Sequence, residues 1–312
     1  SIKPYQILMA GCTHGSPPLP YATETAPLLP LETIGAAIRI LDHVGMVPGQ
    51  VRHALFDFDG TLSLLRAGWQ HVMEQYFCEV LCAAAPATPR NQHASDCREF
   101  IVRLTGRQTM YQALELEERV RAAGAVPLSA DQYKTEFLRR LLESIGHRLC
   151  ALREQHHSPE QYLVPGSTDL LQGLCAAGVT CYLASGTDLP NVIDEARLLG
   201  LSGFFDDGGG DPPRIHGALA DYRAFSKRAV IEQIIAENRL SGPELVAFGD
   251  GYVEIEETRR AGGIAVGIAS REDGGDGCDP WKASRLQEVG AQVLVSDWRE
   301  SKQLLQSLGV TA

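Results

Sequence analysis

Positive charge is scarce in this 312-residue sequence: 28 Lys+Arg stand against 39 Asp+Glu, a formal net charge of −11. A surface of that sign repels phosphate backbones and anionic lipid, so neither nucleic acid nor membrane is an expected partner. No stretch approaches the ~20 uninterrupted apolar residues that a spanning helix needs, and a soluble protein is expected. The eight cysteines, at 12, 78, 82, 97, 150, 175, 181 and 278, include no CxxC pair and no dense framework. They read as reduced thiols in a cytoplasmic protein. Cys78 and Cys82 are spaced i,i+4, yet no further Cys or His pair completes a zinc site. The first residues, Ser1-Ile2-Lys3-Pro4-Tyr5, lack the basic segment and apolar run of a secretory signal. They also lack an initiator Met, which leaves open processing or a longer parent chain. Internal repeats and low-complexity tracts are missing. What the chain does have is apolar mass: 44% hydrophobic against 21% charged residues is the balance of a folded globular protein with a sizeable core.

Residues 1–50 form a leader punctuated by Pro17, Pro18, Pro20, Pro27 and Pro30. Ile34, Ala37, Ile38 and Leu41 recur at helical spacing, which predicts a short helix lying against something: a docking arm, an oligomerisation arm, or the junction to another domain. Ala54-Leu55-Phe56-Asp57-Phe58, closed by acid and followed by Gly60, predicts a buried parallel strand delivering side chains to a loop. From about 64 to 160 the pattern is helical, as over 110–123 and 132–149, with almost no strand signal. After Pro165-Gly166, helix and strand alternate. Helices are predicted over 167–177, 190–199, 226–238 and 255–261. Strands are predicted over 179–184, 204–205, 245–248, 264–268 and 292–295. Such alternation implies an α/β fold, a parallel sheet covered on both faces, with ligands bound beyond the carboxyl ends of its strands.

Four motifs stand at strand or helix ends in a consistent order. Asp57-Phe58-Asp59-Gly60-Thr61 directly follows an apolar strand; Ser185 ends the strand of 181–184; Lys227 opens a helix; and Gly249-Asp250, with Glu254 four residues later, ends another strand. In this order they resemble the haloacid dehalogenase (HAD) superfamily of phosphohydrolases. The resemblance covers about 51–298. It implies a Rossmann-like doubly wound core of residues 51–63 and 166–312, with a helical cap domain, 64–165, inserted after the first strand. Residues 1–50 fall outside it. Asp297-Trp298 fits without an assigned role.

A phosphate monoester resists attack because its oxygens are anionic, so a site must neutralise charge before covalent chemistry can begin. An aspartate is a ready nucleophile at neutral pH, and an acyl phosphate splits one hard displacement into two easier ones. The resemblance makes Asp57 the nucleophile and Asp59 the general acid/base. It makes Ser185 and Lys227 holders of the phosphoryl oxygens. Asp57, Asp250 and the main-chain carbonyl of Asp59 would hold Mg²⁺ through oxygen ligands. Glu254 stands where the family usually carries Asp, and its longer arm suggests a water-mediated contact more than direct ligation. Gly60, Thr61 and Gly186 are expected to let backbone approach the phosphoryl oxygens, and Arg66, Trp69 and Arg107 in the insert to contact substrate.

The expected activity is a Mg²⁺-dependent phosphatase acting on a small phosphorylated metabolite, a sugar phosphate or a phosphoglycolate-like acid. The motifs do not separate this from a sugar phosphomutase using the same phosphoenzyme. A third reading is a non-catalytic regulatory module that keeps the fold.

Overall fold

The structure, a computed structural model, describes residues 30–43, 49–205 and 214–310. Cys12 and the prolines at 17, 18, 20 and 27 lie outside them. The strands are β1 (Glu32–Ile34), β2 (Ile38–Ile40), β3 (His53–Phe56), β4 (Thr180–Asp188), β5 (Ile215–Ala218), β6 (Leu245–Gly249), β7 (Ile264–Ile268) and β8 (Val293–Val295). They form one eight-stranded sheet, in the order β1-β2-β8-β7-β6-β3-β4-β5. From β8 through β5 every neighbouring pair is parallel, while β1 and β2 run antiparallel to their neighbours. The centre is parallel because its sequence can be buried on both faces: every residue of β6 and β7 is buried. Alternation then sorts side chains. Ala54 and Phe56 join the main core cluster, whereas Leu55 joins a separate cluster with Val230, Ile231 and Ile234.

Between β3 and β4 the chain forms a helical insert of α1 (Trp69–Ala84), α2 (Arg90–Arg103), α3 (Thr109–Ala122) and α4 (Ala130–Arg153). Ser129 and Gln132 start α4 with reciprocal side-chain bonds to backbone N–H groups, the sequence-coded remedy for unpaired donors at a helix start. The insert leaves and rejoins the core on paired strands of chain, where Leu64 N–H donates to the Tyr162 carbonyl and Val164 N–H to that of Leu62. The core helices are α5 (Ser167–Ala176), α6 (Leu189–Leu198), α7 (Ser202–Phe205), α8 (Lys227–Asn238), α9 (Tyr252–Arg260), α10 (Pro280–Glu288) and α11 (Ser301–Ser307). No helix among the described residues is long and apolar enough to cross a membrane.

Two sequence expectations are corrected. The segment read as a short helix near 34–41 is the β1–β2 hairpin, added to the sheet edge beside β8. Ile38 and Ile40 are buried and Arg39 less so, a period of two that three-residue strands are too short to announce. Phe204 and Phe205, read as a strand, belong to α7, and the edge strand is instead β5, whose sequence Ile-His-Gly-Ala carries little strand signal.

Candidate active site

Three adjacent strands, β6, β3 and β4, assemble the site. Phe56 is in register with Phe248 on one side and Leu183 on the other. One or two residues further on, Asp57, Asp250 and Ser185 therefore come together, although Ser185, expected to end its strand, lies within β4, which continues to Asp188 past a register irregularity. Asp57 N–H still donates to the Phe248 carbonyl (2.9 Å), so its backbone is held as strand while its side chain faces the loop. Its Oδ1 accepts from the Phe58 amide (2.8 Å) and lies 2.9 Å from Lys227 Nζ. Lys227 bridges onward to Glu254 Oε2 (2.8 Å), whose Oε1 accepts from the Gly251 amide (2.7 Å). Burial pushes the Asp57 carboxyl well above the usual carboxylate range, with Lys227 pulling the other way. Burial alone would lower Lys227, but Asp57 and Glu254 outweigh it and hold the ammonium charged.

Asp59 stands one turn of chain further. Its Oδ2 accepts from the Thr187 hydroxyl (2.8 Å), with the Ser185 hydroxyl at 3.4 Å. Its Oδ1 is buried without a hydrogen-bond partner, and the nearest cation, Arg66 Nε, is 3.9 Å away. Burial raises this carboxyl to about 6, against the opposing pull of Arg66. Arg66, expected to contact substrate, pairs with Glu195 of α6: Nη2 lies 2.6 Å from Oε1 and Nε 3.0 Å from Oε2, both side chains buried. It still lines the cavity.

Two glycines make room for protein groups at the site. Gly60 adopts φ +77°, and a Cβ there would sit 2.1 Å from Asp250 Oδ2, so it makes room for that carboxylate. A Cβ on Gly186 would sit 2.8 Å from the Arg107 carbonyl, so its smallness admits the insert's loop. Thr61 is buried and supports the loop: its Oγ1 accepts from the Asp250 amide (3.0 Å), and its carbonyl accepts from the Trp298 indole (2.7 Å). That bond gives Trp298 of the Asp297-Trp298 pair a structural role, while Asp297 accepts from the amide and guanidinium of Arg299.

Among the described residues, the cluster of Asp57, Asp250 and Glu254 places one carboxylate oxygen from each within 4.8 Å of the others. An octahedral Mg²⁺ with bonds of ~2.1 Å spans roughly 4.2 Å between opposite ligands. The set is all hard oxygen, and the surrounding carboxylates outnumber the ammonium groups of Lys227 and Lys282. A divalent cation fits this donor set. Glu254 has both oxygens engaged by protein donors, which leaves Asp57 and Asp250 as the freer ligands.

Above the cluster lies a cavity of about 80 Å³, walled on the insert side by Trp69, Phe137, Leu141 and the 105–109 loop. Arg107 lines it, donating from Nε to the Tyr252 hydroxyl (2.8 Å). Gln108 pins the loop to the core, its Nε2 donating to the carbonyls of Tyr222 (2.8 Å) and Phe225 (2.7 Å). Gln112 is buried in the wall; its Nε2 donates to the Leu104 carbonyl (3.1 Å) while its Oε1 has no partner. Glu195, Gln112 and Lys282 went unnoticed in the sequence, and Thr187 reads there only as a helix cap, because each is an ordinary helix or turn residue until burial places it here.

Sheet, insert and acid cluster together define an α/β protein with a small, charged site at the carboxyl edge. A family model described as haloacid dehalogenase-like hydrolase matches residues 51–262, and the chain belongs to that family. Among solved structures, it resembles a conserved haloacid dehalogenase-like protein of unknown function from Agrobacterium tumefaciens str. C58, with TM-score 0.51, 17% identity, and 83% of this chain and 99% of that one covered. A predicted phosphoglycolate phosphatase from Haemophilus somnus 129pt gives TM-score 0.52 and 15% identity over 82% and 99%. A β-phosphoglucomutase from Clostridium difficile gives 0.51 and 14% over 83% and 97%. At such identities the likeness speaks to fold. No curated protein matches the chain.

Proposed function

We propose that this protein is a Mg²⁺-dependent phosphatase that hydrolyses a small phosphorylated metabolite through an aspartyl phosphate on Asp57. The observation that carries the proposal is the acidic cluster of Asp57, Asp250 and Glu254, with Lys227 between Asp57 and Glu254, at the foot of a cavity walled by the insert. Mg²⁺, bound by Asp57 and Asp250 with Glu254 behind them, would supply charge neutralisation at the phosphoryl oxygens. Lys227 adds a fixed positive charge and Ser185 a hydroxyl donor on the other side.

The chain's own groups then perform two displacements. A carboxylate oxygen of Asp57 bonds to phosphorus as the bond from phosphorus to the departing alkoxide breaks. Asp59, raised to about 6 by burial, gives that alkoxide its proton. As carboxylate it next takes a proton from the water that attacks the acyl phosphate, releasing phosphate and restoring Asp57. The helical insert serves as the cap that keeps bulk water out. The substrate is a sugar phosphate or a phosphoglycolate-like acid. The cytoplasmic setting expected from the thiols is part of the same proposal.

Phosphate release from p-nitrophenyl phosphate and a panel of phosphorylated metabolites, with and without Mg²⁺, tests this. Asp57→Asn keeps the shape and removes the nucleophile, so turnover should drop below about a hundredth of wild type, a loss of transition-state stabilisation above roughly 2.7 kcal/mol. Equal rates in Asp57→Asn and wild type would remove the mechanism. Following sugar isomers in the same panel separates hydrolysis from phosphoryl return to a second hydroxyl.

A further inference from the structure

We propose that Lys282 is a positioning residue for the acid cluster: it grips one oxygen of Asp250 and thereby turns the other toward the cation position. This rests on the reading of Asp57, Asp250 and Glu254 as a divalent-cation site. Lys282 lies in the first turn of α10, where Asp279 accepts from its amide (3.0 Å). Its side chain is only 7% exposed, and an unpaired ammonium does not survive such burial. All three of its N–H donors have acceptors. Nζ lies 2.8 Å from Asp250 Oδ2, 2.8 Å from Glu272 Oε1 and 3.4 Å from Ser270 Oγ. Ser270 in turn donates to the Gly60 carbonyl, so the tripod is tied to the loop that carries Asp57 and Asp59.

Asp250 has little freedom beside it. Its amide is held by Thr61, and any side chain at position 60 would strike its Oδ2. With Oδ2 occupied by Lys282, Oδ1 is the oxygen available to a cation. Lys227 cannot take over, since it is spent on Asp57 and Glu254. Without Lys282, the carboxylates of Asp250 and Glu272 would face each other with no counter-charge and turn apart.

Plain electrostatics predicts the opposite outcome, because removing a positive charge beside a divalent-ion site should tighten binding. The two views are separated by direct Mn²⁺ binding to the full chain without substrate, read from the free-ion electron paramagnetic resonance signal, with circular dichroism to confirm folding. Lys282→Met should weaken Mn²⁺ binding by about tenfold or more, the scale of one lost charge-assisted hydrogen bond. Lys282→Gln, which keeps an N–H donor toward Asp250 but no charge, should weaken it less; should Lys282→Met not fold, this variant alone carries the test. Binding as tight as wild type, or tighter, in the folded lysine variants overturns the positioning role. Asp250→Asn is the companion measurement: if it abolishes Mn²⁺ binding while the lysine variants do not weaken it, the cation site stands and Lys282 has no such role. If Asp250→Asn binds Mn²⁺ like wild type, the site reading falls and the proposal with it.

Discussion

Burial and pairing give two carboxylates of one loop different chemistry. Asp57 is bound to the Lys227 ammonium, whereas Asp59 has only Arg66 nearby, and the charge of Arg66 is largely spent on Glu195. Burial raises both carboxyls, Asp57 against the pull of Lys227 and Asp59, to about 6, against that of Arg66, which leaves Asp59 close enough to neutrality to give and take a proton. Asp59→Asn keeps the size of the side chain but cannot carry the proton. Its kcat on an alkyl phosphate should fall by about 10²- to 10⁴-fold, the usual worth of a general acid/base. The fall should be smaller on p-nitrophenyl phosphate, whose phenolate departs without protonation. Equal losses on the two substrates would take Asp59 out of leaving-group departure. The Asp-Phe-Asp-Gly-Thr loop was legible in the sequence because its residues are neighbours. The partners that tune it, Thr187, Glu195 and Arg66, come from three separate segments.

At the scale of elements, the insert and the core are joined by polar ties at the cavity rim. Arg66 at the insert's base pairs with Glu195 of α6, and Lys134 of α4 lies 2.6 Å from Asp188 at the end of β4. The Arg66–Glu195 pair is buried, so removing one partner leaves an uncompensated charge. Glu195→Gln should cost about 3–5 kcal/mol in urea unfolding, and replacing both residues, as in Arg66→Met with Glu195→Met, should recover most of it. A double variant no more stable than the single one would show that the pair does more than balance charge. The helical character of the insert, and helices α3 and α4 within it, were readable because their apolar periodicity is local and spans several turns. The β1–β2 hairpin was not, since its strands are three residues long and their burial depends on β8, which lies some 250 residues away in sequence.

For the whole molecule, that hairpin closes an edge. Ile38 and Ile40 are buried against the sheet, and Glu300 accepts from the amides of Ala36 (2.8 Å) and Ala37 (2.9 Å) in the turn. A chain beginning at residue 49 would uncover β8. Two buried isoleucines at roughly 1.5–3 kcal/mol each suggest a loss of about 3–6 kcal/mol. An unpaired apolar edge also invites association. The urea midpoint and light scattering of the shortened chain test this; an unchanged midpoint with no aggregation would make the hairpin an ornament of the fold.

The chain's own order of residues determined the family, the α/β alternation, the helical insert and the acids at strand ends. Each of these is a short-range pattern: a run of apolar residues, a period, a loop motif. Tertiary structure alone decided that Lys282 would stand against Asp250, that Arg66 would be claimed by Glu195, and that Gly60 and Gly186 would make way for a carboxylate and a carbonyl. Those outcomes depend on which distant side chains are buried together, and burial sets both the charge a group can keep and the partner it must find.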